Sequence, residues 1–269
     1  MAEPLRFELI GQPLGHSLSP VLHGLIAEVA GFACEYTLRE LPDEAVEGYV
    51  AALPHSGLSG VNVTIPHKLA ACATVDVLSD EARAIGAVNT IAIQDGRTMG
   101  HNTDYYGFGA MLRLAGIQAE GRSATVLGGG GAARACVAWL ADHGCDVTLV
   151  TRGGSSTLPG ARTVGYGALP GGHLLVNATP VGMHPHEDAC PLPAEDIARY
   201  EAVADLIYNP PQTVLLRQAA ALGLPNTDGL AMLVAQAVRA QQIWQQRSFD
   251  ETMEREVLRR LRALREGKP

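Results

Sequence analysis

Short apolar runs alternate with stretches of helical period through most of the chain. Residues 7–10 read as a strand, and 18–30 as a helix with Pro20 near its start, where a missing N–H costs nothing. Residues 36–38, 60–64 and 88–93 read as further strands, with helices over 43–53 and 79–85 between them. A second series begins after Asp104: a helix over 105–115, an apolar strand over 124–127, four glycines, and a helix over 132–143. Strands at 147–150, 174–177 and 203–207 follow, whereas 151–172 is rich in Gly, Ser and Pro and carries no helical period. The tail is helical over 230–246, and Met253, Val257, Leu261 and Leu264 then fall on one helical face, which predicts a helix docked on its own domain. Strands alternating with helices predict an α/β layer structure with a mainly parallel sheet.

Composition narrows this picture. With 269 residues and 47% hydrophobic content, the chain is long enough for one large domain or two smaller ones, each with its own core. Aromatics make up only 5%, so Ala, Val, Leu and Ile must fill the interior. A net charge of −8 argues against nucleic acid or an anionic membrane as partner, while leaving room for an anionic small molecule held by local cations. No run of about 18 apolar residues occurs, and the N-terminal MAEPLRFELIG lacks the pattern of a signal peptide. Five scattered cysteines without a CxxC pair read as reduced thiols, which points to the cytoplasm. The segment HPHEDAC, from His184 to Cys190, clusters metal-ligand types, but its spacing fits no tetrahedral site, so it reads as a polar loop and no metal is expected.

The run SATVLGGGGAARACVAWL places Gly128, Gly129, Gly130, Gly131 and Ala132 between a strand and a helix. Glycines let the backbone turn sharply and let a pyrophosphate approach, and the new helix offers it free N–H groups and a positive dipole end. That is a Rossmann-type arrangement with altered glycine spacing. The next strand should end near the adenosine ribose. There the chain has Thr151, Arg152, Gly153 and Gly154, with no acidic residue to accept from a 2′-hydroxyl and an arginine that can meet a 2′-phosphate. NADP is therefore expected over NAD.

In the first half, GVNVTIPHK puts Asn62 and Thr64 on one face of a strand end. Lys68 follows at the start of the next segment, where partial burial would favour its neutral form and suit it to proton exchange. GAVNTI places Asn89 in an apolar strand, and GHNTDYYG places Asn102, Thr103 and Asp104 between strand and helix. Asp104 can act as an N-cap or as a functional carboxylate; Ser17 and Ser19 of GHSLSP can cap a helix or bind a carboxylate.

GHSLSP, GVNVTIPHK, GAVNTI, HNTD, GGGGAARA, NATPVGM, DLIYNP and DGLAMLVAQA occur in the order found in shikimate dehydrogenases, and the chain resembles that family from Gly11 to Ala237. The resemblance implies a discontinuous α/β catalytic domain, residues 1–104 and 229–269, and an inserted NADP-binding Rossmann-like domain, residues 105–228, with the active site in the cleft between them. It implies reversible NADPH-dependent reduction of 3-dehydroshikimate to shikimate, a step of aromatic amino acid biosynthesis. Lys68 and Asp104 would be the catalytic pair. Ser17 and Ser19 would hold the substrate carboxylate. Asn62, Thr64, Asn89 and Asp104 would bind ring hydroxyls, and Tyr208 and Gln236 would complete the pocket. Asn177, Thr179, Met183 and Gly229 would contact the cofactor. A monomer or a homodimer fits equally.

Three departures stand out. The family often carries Asn-Arg-Thr after the second cofactor strand, where this chain has Thr151-Arg152-Gly153, keeping the arginine without its flanking partners. Only 24 residues separate Arg152 from Asn177, so one crossover helix is expected to be missing or reduced to a loop. His101 stands where an acidic residue often precedes the NTD motif. The competing readings are an NAD-dependent quinate/shikimate dehydrogenase, an aminoshikimate-type enzyme, and a regulatory protein that binds cofactor without catalysis. Retention of both Lys68 and Asp104 argues against the last.

Overall fold

The computed structural model describes residues 3–15, 17–155 and 157–267. The chain divides into two compact units, one of residues 1–103 and 234–269 and the other of residues 104–233.

The first unit is built on six strands. They are β1 (Leu5–Gly11), β2 (Cys34–Glu40), β3 (Gly60–Val63), β4 (Val77–Leu78), β5 (Thr90–Gln94) and β6 (Arg97–His101), in the sheet order β2-β1-β3-β5-β6-β4. β1 runs parallel to β2 and β3, and β4 parallel to β6; β5 alone is reversed, pairing antiparallel with β3 and β6. The sheet is thus mainly parallel, as the alternating pattern predicts. Helices α1 (Ser19–Ala30), α2 (Val46–Ala52), α3 (Lys68–Thr74) and α4 (Asp80–Ile85) intervene. α4 starts where Ser79 Oγ accepts from the Ala82 N–H, so Ser79 is the N-cap rather than the first helical residue. The single helix expected over 43–53 is instead α2 flanked by 3-10 turns at Asp43–Ala45 and Leu53–His55, the second carrying Pro54 in its first turn. β4 and β6 are absent from the sequence reading because β4 is too short to show a period and β6 mixes Arg, Gly and His. Ile10, Val50, Val61, Val63 and Ile91 form the core on one side of this sheet. Elsewhere the Trp244 indole stacks on Phe7 at 4.5 Å and donates to the Ile91 carbonyl at 2.9 Å.

The second unit holds β7 (Ser123–Leu127), β8 (Asp146–Val150), β9 (Ala161–Val164), β10 (Gly172–Asn177), β11 (Tyr200–Asp205) and β12 (Asn226–Thr227). Their order, β12-β11-β10-β7-β8-β9, with every pairing parallel, is the doubly wound Rossmann order. α5 (Thr103–Ala115) leads in, α6 (Gly131–Asp142) links β7 to β8, and α7 (Ala194–Ile197) and α8 (Val214–Ala221) serve the other half. Between β8 and β9 the described residues contain no helix, and between β9 and β10 there is only a 3-10 turn at Tyr166–Ala168. The crossover expected to be reduced is indeed reduced, although β9 itself lies within a stretch that reads as irregular.

Two further helices end the chain, α9 (Leu230–Gln245) and α10 (Glu251–Arg265). Asp250 caps α10, accepting from the Thr252 and Met253 N–H groups. Met253, Val257 and Leu261 are buried as their spacing predicts, and α10 packs on α1 within the first unit. Leu264 departs from the stripe: it is 55% exposed, lying in the last turn of the helix. This difference gives a paired test. Leu261→Ala, at a site 1% exposed, should lower unfolding stability by about 2–4 kcal/mol in urea titration, independent of protein concentration. Leu264→Ala should change it by less than about 0.5 kcal/mol. A midpoint that shifts with protein concentration would instead make α10 an intermolecular contact.

Candidate functional site

In the first unit the predicted polar residues collect at one edge of the sheet. Asn62 pairs with Thr90, and Thr90 with His101, so the end of β3, the start of β5 and the end of β6 lie side by side. Asn62 is buried and its amide is engaged within the chain. Oδ1 accepts from Tyr36 Oη at 2.8 Å, and Nδ2 donates to the Asn89 carbonyl at 3.2 Å and to Thr90 Oγ1 at 3.1 Å. Asn89 Oδ1 accepts from the Thr103 N–H at 2.7 Å and its Nδ2 donates to Thr103 Oγ1 at 3.0 Å. The Thr103 hydroxyl also lies 3.3 Å from Gln236 Oε1. Asn62, Asn89 and Gln236 are therefore brought together, through Thr90 and Thr103, which the sequence reading did not assign.

Tyr36 and His23 also escaped the sequence reading. The His23 ring stacks 4.2 Å from Tyr36, and its Nδ1 accepts from Gln241 Nε2 at 2.9 Å. Burial lowers its pKa to about 3, only partly opposed by a hydrogen bond with Asn62, so the ring is neutral. Tyr36 is hydrogen-bonded to Ser19, and burial raises its phenol well above the usual range. Ser17 Oγ accepts from the Ser19 N–H at 3.2 Å, whereas the N-cap position of α1 belongs to Leu18, which makes no side-chain cap. Both serines are half-buried.

Thr64 follows β3 directly, its N–H donating to Ile10 and its carbonyl accepting from His67. Lys68 is the first residue of α3 and half-buried; its carbonyl accepts from the Val88 N–H at 2.9 Å. Its neighbour His67 is fully buried, with Nε2 donating to the Leu41 carbonyl and Nδ1 on the Asp43 carboxylate, both at 2.8 Å. These bonds fix the start of α3. Asp104 is buried in the first turn of α5, one residue inside the helix, so it is not the N-cap. His101 Nδ1 lies 3.3 Å from Glu81 Oε1. Burial raises the Glu81 carboxyl, but hydrogen bonds from His101 and Ser79 outweigh it and hold the pKa at about 2. The replacement at 101 thus makes a local hydrogen bond with α4.

In the second unit the predicted cofactor residues follow the carboxyl ends of parallel strands. Gly128 has φ +110°, and a Cβ there would stand 2.9 Å from the Ala178 carbonyl oxygen, so only glycine fits. Gly130 is the N-cap of α6, with no side-chain cap, no acidic residue in the first turn and open space where a Cβ would sit. The first N–H groups of α6 are left for a ligand, and a pyrophosphate fits this turn, with Gly129, Gly131 and Ala132 completing it. Thr151 and Arg152 follow β8; Thr151 Oγ1 accepts from the Gly154 N–H at 3.1 Å and Arg152 is exposed.

Asn177, by contrast, is fully buried and shapes its own loop. Oδ1 accepts from the Thr179 N–H at 3.1 Å and from Thr179 Oγ1 at 2.7 Å, while Nδ2 donates to Asp205 Oδ1 at 3.0 Å. Asp205, the unassigned first residue of DLIYNP, also accepts from the Ile207 N–H at 3.1 Å and Thr213 Oγ1 at 2.7 Å. Desolvation raises its pKa to about 6 against these three donors, with Asp228 adding to the rise. Thr179 and Tyr208 are half-buried and Met183 is exposed. At Gly229 any side chain would run into the Leu206 carbonyl, and its N–H donates to Ile207 at 3.1 Å.

Comparison with known proteins agrees with this geometry. A family model, the shikimate dehydrogenase substrate binding domain, matches residues 9–91. The chain is 38% identical over 265 residues to a shikimate dehydrogenase (NADP(+)) of Clostridium perfringens, spanning 95% of this chain and 98% of that one. A crystal structure of a chorismate mutase/shikimate 5-dehydrogenase fusion protein from Clostridium acetobutylicum is similar at TM-score 0.93 and 37% identity, covering 97% and 98% of the two chains. Shikimate 5-dehydrogenase from Thermus thermophilus, in complex with NADP(H) and shikimate, is similar at TM-score 0.86 and 39% identity, covering 95% and 99%.

The buried Asp205 gives a pH test. Its folded pKa, about 6, lies above the ordinary 3.8, so the folded state holds a proton that the unfolded state has lost. Stability attributable to this group should fall as pH rises from about 4 to 6, by up to about 1.4 kcal/mol per pH unit, and level off above. Asp205→Asn should remove that slope, read as the difference between the variant and wild-type stability curves. Parallel curves would mean that Asp205 does not carry the titration.

Proposed function

The chain belongs to the shikimate dehydrogenase family, and we propose that it catalyses the reversible NADPH-dependent reduction of 3-dehydroshikimate to shikimate in aromatic amino acid biosynthesis. The observation that carries this reading is the coincidence of two half-sites in one chain. One is a sheet edge where Asn62, Asn89 and Gln236 gather, with Thr64 and Lys68 on the segment that follows β3; the other is a glycine turn opening onto an uncapped helix in a Rossmann-ordered sheet.

We assign residues 1–104 and 229–269 to substrate and 105–228 to cofactor. Bound NADPH supplies the hydride for the C3 carbonyl carbon. Lys68 gives the proton to the carbonyl oxygen, and its charge steadies the oxyanion as it forms. Asp104 is its partner in proton balance and binds a ring hydroxyl. Ser17 and Ser19 hold the carboxylate; Thr64, Asn89 and Gln236 meet the hydroxyls, and Tyr208 closes the pocket. Asn62 and Asn177 act indirectly: their amides are engaged within the chain, so they orient neighbours. The Gly128–Gly131 turn and Ala132 receive the pyrophosphate, Arg152 the 2′-phosphate, and Thr179, Met183 and Gly229 the nicotinamide side. The enzyme works in the cytoplasm, consistent with five free cysteines and with no helix among the described residues long and apolar enough to cross a membrane.

Initial rates with shikimate or quinate, each with NADP or NAD, test the reading. Shikimate with NADP should be the best pair, and Lys68→Ala should lower kcat by about 10²–10⁴-fold with a smaller change in KM. Better turnover of quinate with NAD would move the chain to the quinate/shikimate branch, and no activity with any pair would sink the catalytic reading.

A further inference from the structure

We propose that Tyr166 is a cofactor-selecting residue, whose hydroxyl joins the Arg152 guanidinium in holding the 2′-phosphate of NADP. The inference rests on the NADP reading above and supplies what the Thr-Arg-Gly sequence lacks, a second donor beside the arginine.

Strand register brings the two residues to one place. β8 and β9 are parallel neighbours with Val150 opposite Val164, and the Thr151 N–H donates to the Val164 carbonyl at 3.1 Å. Arg152 and Tyr166 each lie two residues beyond that pair, so they leave the same sheet edge in adjacent turns. The turns touch: a Cβ at Gly154 would stand 3.2 Å from the Gly165 nitrogen. They also adjoin the glycine turn, since a Cβ at Gly129 would meet Thr151 Cγ2 at 3.5 Å. In a doubly wound sheet this is the ribose end of a dinucleotide.

The groups there are arranged for an anion. Arg152 is exposed and makes no hydrogen bond or ion pair among the described residues. The Tyr166 ring is half-buried and packed against the core of this unit, which fixes its direction. Its hydroxyl has no hydrogen-bond partner among the described residues. Burial raises the phenol, opposed by the Arg152 charge, so at neutral pH the hydroxyl keeps its proton and acts as a donor. A guanidinium fork and a phenolic O–H together match the oxygens of a phosphate dianion. An unphosphorylated ribose is instead recognised by a carboxylate that accepts from its 2′-hydroxyl, and residues 151–154 and 165–167 carry none. With two donors and no carboxylate, the site favours a 2′-phosphate.

Phenylalanine at 166 keeps the ring and its packing while deleting the donor. Calorimetric titration of the full chain with adenosine 2′,5′-bisphosphate and with 5′-AMP reads the 2′-phosphate separately from turnover. The wild type should prefer the bisphosphate. Tyr166→Phe should cut the ratio of the two affinities about tenfold, the scale of a hydrogen bond to a charged group. Arg152→Ala should cut it further, and Tyr166→Phe should matter less in that background than alone. KM for NADP should rise in parallel. A ratio unchanged by Tyr166→Phe, or a wild type that binds the two nucleotides equally, overturns the proposal. The outcomes separate from those of the catalytic reading: shikimate oxidation with an unaltered ratio sinks only the role of Tyr166. A ratio that falls in a protein inert towards shikimate sinks only the reaction.

Discussion

Both units depend on one constraint: parallel strands must all end at the same edge of their sheet. Each strand then needs a return segment, and the turn that starts it is forced to that edge with its backbone groups unpaired. In the second unit the carboxyl ends of β7, β8, β10, β11 and β12 deliver Gly128, Thr151, Asn177, Asp205 and Gly229 in turn. In the first unit β1 and β3 deliver the segments that carry Ser17 and Thr64. The reversed strand β5 obeys the same geometry from its other end. Because it is antiparallel to β3 and β6, its start lies where they finish, so Asn89 precedes it rather than following it.

An edge of this kind must still be given shape, and here buried amides do it. An unpaired amide taken out of water costs about 1–3 kcal/mol, and a carboxylate more, so a buried one is held by whatever satisfies it. Asn62 ties the β3 end to Asn89 and Thr90, and Asn177 ties its own loop to Thr179 and Asp205. Each works as a cross-brace between two strand ends. Asp205 is the extreme case, a carboxylate with three donors that burial nevertheless pushes towards its neutral form.

What could be read from the chain follows from this. Strands such as β1, β7 and β10 are apolar because they are covered, and Gly128 is fixed by close approach of the Ala178 backbone, so both leave marks in sequence. β6 and β9 do not, since RTMGH and ARTV have few apolar positions to show a period. The polar residues of the substrate edge were legible as motifs, but which of them face a ligand was not. The sequence pattern of Asn62 and Asn177 is that of binding residues, whereas their hydrogen bonds are spent inside the fold. Tyr36, His23 and Gln241 were missed because they lie up to 218 positions apart and meet only in three dimensions.

The two half-sites differ in what they demand of side chains. Ring hydroxyls have directional donors and acceptors, and the edge proposed for substrate is built of side chains locked by one another, so a single replacement disturbs several bonds. A pyrophosphate is satisfied by backbone N–H groups and a helix dipole, which many sequences supply. The cofactor unit can therefore lose structure at its margin: between β8 and β9 it has no helix among the described residues, and β9 still pairs in register with β8. What backbone alone cannot recognise is the 2′-phosphate, which distinguishes one dinucleotide from the other. Recognising that group takes side chains, and the β8–β9 edge is where Arg152 stands without an ion-pair partner among the described residues.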